Sequence, residues 1–222
     1  MRVVAVALSV TLLGTASAGP LTHRFGSGES EHYRYSYEFN VQGQRKAIAG
    51  EFQLTFSTVS PVLKGTEIRT QLTPAQRAVR TFTISRDGYL TFDNDKFPSH
   101  NYLSYDAHQY CPMPETIVVG ESWSCKTQTV GFFHGGDAHV RVVSADETSA
   151  TLEIDGVDTD APRSERHRET GRTYTSRTTA AWHETVQFKN GLVQSIVRDQ
   201  TLRSTIANLT LETRIRAKID RI

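Results

Sequence analysis

The chain has 222 residues, 37% hydrophobic and 22% charged, with 25 Lys and Arg against 24 Asp and Glu. That length supports one or two domains with a sizeable core. The balanced charge argues against a nucleic-acid binder, which shows a basic excess, and beyond the N-terminus no stretch is apolar enough to cross a membrane as a helix.

Residues 1–18 read as a secretory signal peptide. Arg2 supplies a positive start, residues 3–13 are almost wholly apolar, and Ala16-Ser17-Ala18 is an A-x-A cleavage signal before Gly19. The apolar run is shorter than the roughly 20 residues a spanning helix needs. No cysteine follows the cleavage site, so a lipid anchor is not expected there. The expectation is an exported chain, periplasmic or secreted, with no transmembrane segment. Residues 19–31 form a polar, glycine-rich lead-in. Residues 32–222 read as a single antiparallel β domain, with two lobes split near 97–115 as the alternative.

The first strand is the clearest. Tyr33, Tyr35, Tyr37, Phe39 and Val41 alternate with Arg34, Ser36, Glu38 and Asn40. A strand sends successive side chains to opposite faces, so this is a strand with one dry and one wet side. Gln42-Gly43-Gln44 turns into a second strand carrying Ile48, Phe52, Leu54 and Phe56, with Gly50 in the same row. A glycine there signals a bulge or a close backbone approach. Lys64-Gly65 opens a third strand. Residues 74–79 read as one short helical turn, and Asp87-Gly88 as a tight primed turn. Residues 97–115 lack periodicity.

Later segments repeat the style. Residues 123–133 and 138–144 flank His134-Gly135-Gly136-Asp137, and residues 149–154 end at Asp155-Gly156. The charged stretch 163–172 reads as a solvated loop, with a contact for a charged partner as the alternative. A long strand over 174–188 meets the hairpin signal Asn190-Gly191. Toward the end, Ala207, Leu209, Leu211, Ile215, Ala217 and Ile219 alternate with Asn208, Thr210, Glu212, Arg214, Arg216, Lys218 and Asp220. The fold expected is all-β: a long antiparallel meander curled into a barrel or half-barrel, with a two-sheet sandwich as second choice.

Residues 114–123, Pro-Glu-Thr-Ile-Val-Val-Gly-Glu-Ser-Trp, resemble the Pro-x-x-x-Val-x-Val-Gly-Asp-Ser-Trp stretch of exported bacterial β-meander proteins of unknown function. Glu121 stands where that pattern has Asp, and the spacing differs. The resemblance implies a cell-envelope location and brings no catalytic residues. The layout is also similar to periplasmic half-barrel lipid carriers.

Chemistry-bearing residues are few. Cys111 and Cys125, the only cysteines, read as a disulfide in an exported chain, worth about 3 kcal/mol for a loop of that size. Ser122 in Gly120-Glu121-Ser122-Trp123-Ser124 fails the Gly-x-Ser-x-Gly pattern. His134, Asp137 and His139 read as a glycine hairpin with polar flanks. As a metal site they would suit zinc or copper. Asp155, Asp158 and Asp160 offer half of a calcium loop without its later Glu. His183 and Glu184 should point to opposite faces of their strand. Asn208-Leu209-Thr210 is a glycosylation sequon. The row of Tyr33, Tyr35, Tyr37 and Phe39 reads as core, or as the wall of a cavity for an apolar ligand.

These readings favour an uncharacterised, non-catalytic exported protein with no cofactor. Its partner would be a lipid, another apolar small molecule or a cell-envelope component on a curved sheet, and not nucleic acid. A structural or adhesive surface domain with a filled core is the first rival, and a metal-dependent hydrolase the second. Oligomeric state is not legible.

Overall fold

Antiparallel hairpins, each set by the turn between two alternating segments, build nearly all of the ordered architecture. The computed structural model describes residues 17–18, 30–58, 63–72, 75–84, 90–92, 114, 117–126, 136–159, 163–166, 170–190 and 192–222. Its strands are β1 (Ser17–Ala18), β2 (Ser30–Val41), β3 (Gln44–Thr58), β4 (Leu63–Leu72), β5 (Ala75–Ile84), β6 (Leu90–Phe92), β7 (Ile117–Val118), β8 (Ser122–Lys126), β9 (Gly136–Ala145), β10 (Ser149–Thr159), β11 (Arg163–Arg166), β12 (Thr173–Lys189), β13 (Leu192–Ile206) and β14 (Leu209–Arg221).

β2 to β6 meander outward from the middle of one sheet. The chain then passes to the opposite edge, and β8 to β14 meander back inward. β14 finally pairs with β2, so the order is β6-β5-β4-β3-β2-β14-β13-β12-β10-β9-β8. β11 pairs with the start of β12, and β1 pairs with β7 apart from the main sheet. The protein is therefore all-β, built on an eleven-strand antiparallel meander.

Local chemistry explains the hairpins. Gln42 (φ 51°) and Gly43 (φ 85°) form a two-residue turn, and Val41 pairs with Gln44 across it. Both positive φ values belong to a primed turn, whose twist matches that of the flanking strands. Asn190 (φ 52°) sits between the paired residues Lys189 and Leu192. Between β9 and β10, the Asp146 carboxylate accepts hydrogen bonds from the amides of Thr148 and Ser149, both at 2.8 Å, and from the Ser149 hydroxyl at 2.5 Å. Those bonds, the Ser149 hydroxyl foremost, hold the Asp146 carboxyl down at about 2.

Four expectations are corrected. Residues 75–79 are not a helical turn but the start of β5, because pairing with β4 outweighs the local helix propensity of Ala and Arg. β10 does not end at Asp155-Gly156 but runs on to Thr159, so Asp155 and Asp158 belong to a strand and form no calcium loop. Residues 163–166 are a strand on β12 rather than loop. Ala207, at φ 53°, is a turn residue, and the row beyond it is not dry: Leu209 is 74% and Leu211 38% exposed, while Ile215 is buried. The three share a side of β14, but the core begins only at Ile215. Asp87, Gly88, Asp160 and most of 97–115 lie outside the described residues.

The inner face of the sheet is one buried cluster that draws on both meanders. Tyr33, Tyr35 and Tyr37 are 0–2% exposed. The Tyr33 ring stacks on Phe52 at 5.0 Å, and Phe56 meets Phe82 edge-on at 5.8 Å. Burying an aromatic of this size is worth roughly 4–6 kcal/mol as an upper figure. Exposed ion pairs are worth about 0–1 kcal/mol each, so the rings and not the surface charges hold the sheet together.

Three strand glycines lie directly opposite aromatic residues: Gly50 faces Tyr35, Gly65 faces Phe82 and Gly156 faces Trp182. Each ring lies over the bare backbone, where a Cβ would overlap it. The close approach expected at Gly50 is thus real, and the glycines let large rings lie flat against the wall of a curving sheet.

Two tests follow from this packing. Gly156→Ala should destabilise by about 1–3 kcal/mol in urea unfolding through overpacking, and Trp182→Leu should remove most of that penalty in the double variant. A Gly156→Ala protein within 0.5 kcal/mol of wild type, on the order of an ordinary surface change, would contradict the packing account. Asp146 has a folded value below the unfolded one, so its stabilisation is present above about pH 4 and is lost as pH falls toward 2. The melting-temperature gap between wild type and Asp146→Ala should therefore be full at pH 6 and close near pH 2; a gap independent of pH would disprove the turn's role.

Candidate functional site

A charged residue at a core position is the first departure from the pattern of the inner wall. In β12 the inward series is Ala180, Trp182, Glu184, Val186 and Phe188, and all five are buried, Glu184 completely. Its neighbour His183 faces outward, as strand alternation requires. Glu184 Oε2 accepts a hydrogen bond from Arg198 Nε at 2.5 Å, from the facing position on β13. The Arg198 guanidinium lies 4.8 Å over the Trp182 ring, and Trp182 Nε1 donates to Asp158 Oδ2 at 3.0 Å. Asp158, Trp182, Arg198 and Glu184 thus form one polar chain across β10, β12 and β13.

Such a pair is costly. Desolvation takes several kcal/mol per ion, and mutual attraction offsets it only when the remaining lone pairs are also satisfied. Here they are not: Glu184 Oε1 is buried with no hydrogen-bond partner among the described residues. Trp123 Nε1 is buried and unpartnered as well. The two side chains belong to one transverse row, Trp123–Val140–Ile154–Glu184–Arg198, formed by facing residues of β8, β9, β10, β12 and β13. Among the described residues, an acceptor and a donor without partners therefore share one row, with the apolar Val140 and Ile154 between them and Arg198 at its end.

The outer face carries a second row. Ser124, His139, Asp155, His183 and Asp199 face one another across β8, β9, β10, β12 and β13, and Arg216 and Glu38 continue the line on β14 and β2. Ser124 Oγ lies 3.1 Å from His139 Nδ1, Asp155 Oδ1 lies 2.8 Å from His183 Nδ1, and Arg216 Nε lies 3.8 Å from Asp199 Oδ1. An open depression of about 500 Å³ runs along this row, with Gly156, Val157 and Ala181 among its smaller lining residues. These contacts are solvent-exposed and add little stability.

The sequence-derived candidates fall into different places. Tyr33, Tyr35 and Tyr37 sit within the buried cluster, and Phe39 packs half-buried at its edge. Tyr33 donates to Glu31 Oε2 at 2.6 Å; burial, with the Glu31 charge, pushes its phenol far above the usual range. Asp137 and His139 share the outer face of β9. Asp137 pairs with Lys126 at 2.5 Å and His139 with Ser124. His134 lies outside the described residues, and among those residues no group of three or more His, Cys, Asp or Glu is placed to hold a metal. Cys125 packs against the core from β8, while Cys111 lies outside the described residues. Asn208 is an exposed turn residue.

Sequence reasoning missed Arg198 and Asp199 altogether, and it took Asp158 for part of a calcium-like loop rather than a partner of Trp182. Glu184 had left a signal: it interrupts the apolar parity of residues 180–188. The outer row left none, because its members are scattered from residue 124 to residue 199. No family model, no curated protein and no solved structure matches the chain.

Removing one partner of the buried pair should be far worse than removing both. Arg198→Leu should cost about 3–5 kcal/mol in urea unfolding at pH 7, because it strands Glu184. The double variant Glu184→Leu/Arg198→Leu should recover most of that loss. A single variant within about 1 kcal/mol of wild type would mean that the carboxylate reaches solvent.

Proposed function

We propose that this protein is an exported, non-catalytic carrier that holds an amphiphile against the inner face of its sheet. The apolar part of the ligand lies along the wall, and a hydrogen-donating headgroup, hydroxyl or ammonium, meets Glu184. The observation that carries this reading is Glu184 Oε1, fully buried and without a partner among the described residues, on the inner wall beside Arg198. An unmade hydrogen bond of this kind costs about 1–3 kcal/mol, and a donor on the ligand removes that cost. Arg198 flanks the headgroup position from the facing strand, and Trp123 stands three strands away on the same row. Export rests on the signal-like N-terminus and on the expectation that Cys111 and Cys125, the two cysteines of the sequence, pair in an oxidising compartment.

A second reading has its own support. Tyr33, Tyr35 and Tyr37 are packed to 0–2% exposure, which suits a scaffold with a filled core. Val140, Leu152, Ile154 and Val186 around Glu184 are as deeply buried, at 0–1%, and suit that scaffold equally. The metal-dependent reading gains nothing from Asp137 and His139, whose contacts are with Lys126 and Ser124.

Organic extraction of the purified protein, followed by mass spectrometry, should release an amphiphile. The delipidated protein should take up a fluorescent long-chain amine, and Glu184→Gln should weaken that uptake by roughly tenfold or more. An empty extract together with no uptake would sink the carrier reading in favour of the scaffold.

A further inference from the structure

The end of the sheet at the β13–β14 turn breaks the rule that buries apolar side chains. β2 joins β14 only from Val41, which faces Thr213. The segment 209–212 and its partners on β13 extend four positions past that point, or about 13 Å. Ile206 and Leu209 face each other at the tip, and Leu211 follows on the same side. Ile206 is 37%, Leu209 74%, Leu211 38% and the nearby Val41 39% exposed. Leu209 at 74% exposure gains little from folding, and the other three leave over a third of their apolar surface in water, so stability alone does not account for the cluster.

The other side of the same hairpin is basic. Arg203 and Arg214 both bond Glu212, at 3.3 and 3.0 Å, with side chains 65% and 75% exposed. Those bonds, Arg214 foremost, hold the Glu212 carboxyl below its usual value. Arg177, beside Thr205 on β12, and Arg45, beside Asn40 at the start of β3, are exposed on that side too. The whole chain is nearly neutral, with 25 basic and 24 acidic side chains, so this end concentrates positive charge. Apolar residues on one face and arginines on the other make an element that lies in a lipid interface.

We propose that the β13–β14 hairpin tip docks the protein on an anionic lipid surface. Leu209, Leu211 and Ile206 enter the interfacial layer, and Arg203 and Arg214 meet headgroup phosphates. Charge selects this occupant over a second copy of the chain, since symmetric tip-to-tip pairing would bring arginines against arginines. The inference goes beyond the carrier reading and does not depend on Glu184.

Vesicle flotation tests it. The purified protein should float with vesicles of phosphatidylglycerol and phosphatidylcholine at low salt, stay behind with phosphatidylcholine alone, and be released as salt rises. Leu209→Asn/Leu211→Asn and, separately, Arg203→Gln/Arg214→Gln should each weaken binding by roughly tenfold. Circular dichroism checks that both variants fold; two independent pairs keep the test decisive if one does not. No flotation, equal flotation with neutral vesicles, or variants that bind like wild type would overturn the proposal. So would concentration-dependent dimerisation lost in the leucine variant without vesicle binding. A protein that yields an extractable amphiphile yet ignores vesicles defeats docking and leaves the carrier reading standing; the reverse result does the opposite.

Discussion

The pairing of β2 with β14 is the constraint on which the architecture depends. Every other ladder in the main sheet joins strands adjacent in its two meanders. This one brings residues 33–41 against 213–221. Closing a loop of that length costs on the order of 4–5 kcal/mol in chain entropy. The seam repays it with buried aromatic surface: Tyr33, Tyr35 and Tyr37 lie between β14 on one side and β3 on the other. Each ring is worth about as much as the whole closure, so the seam is favourable by a margin that surface ion pairs could not supply. Without it the two meanders would be separate small sheets, each with an open edge and half a core.

Once the seam is made, the two faces of the sheet follow different rules. The inner face takes rings wherever it can, and glycines opposite Tyr35, Phe82 and Trp182 make room for them. The outer face alternates acids and bases across strands and leaves them wet. These rules are broken in two ways: charged side chains are buried (Glu31, Arg80 and Glu184), and large apolar ones are exposed (Leu72 and Val79 as well as the leucines of the β13–β14 tip). Both departures are unfavourable for the folded chain taken alone. Departures of this kind mark the places where a protein meets something else. On the function proposed above, a polar anchor deep in the wall and an amphipathic tip on the same sheet would serve a single task, moving an amphiphile to or from a lipid surface.

Much of this was legible in the residues, and the reasons for the rest are physical. The alternation at Tyr33 to Phe39 identified the buried face because strand periodicity is local. The turn at Gln42-Gly43 identified its hairpin because positive φ selects its residues. Which distant strands would meet was not legible, since nothing in β2 names β14. The run from Leu209 to Ile219 gave the correct face but not where burial starts; that depends on how far neighbouring strands extend, and β2 stops short of the tip. Ala75 to Val79 looked helical because propensity is a weak force beside two flanking ladders. Gly156 looked like a turn because a glycine that accommodates a ring and a glycine that bends a chain look the same in sequence. The polar row through His139, Asp155 and His183 exists only once β9, β10 and β12 are in register.

Cross-strand nuclear Overhauser contacts between β2 and β14 test the central claim most directly. The account predicts backbone contacts linking Tyr37 with Ala217 and Tyr35 with Ile219 in the folded protein. Contacts that place β2 beside any strand other than β3 and β14, or the absence of any contact between residues 33–41 and 213–221, would contradict it.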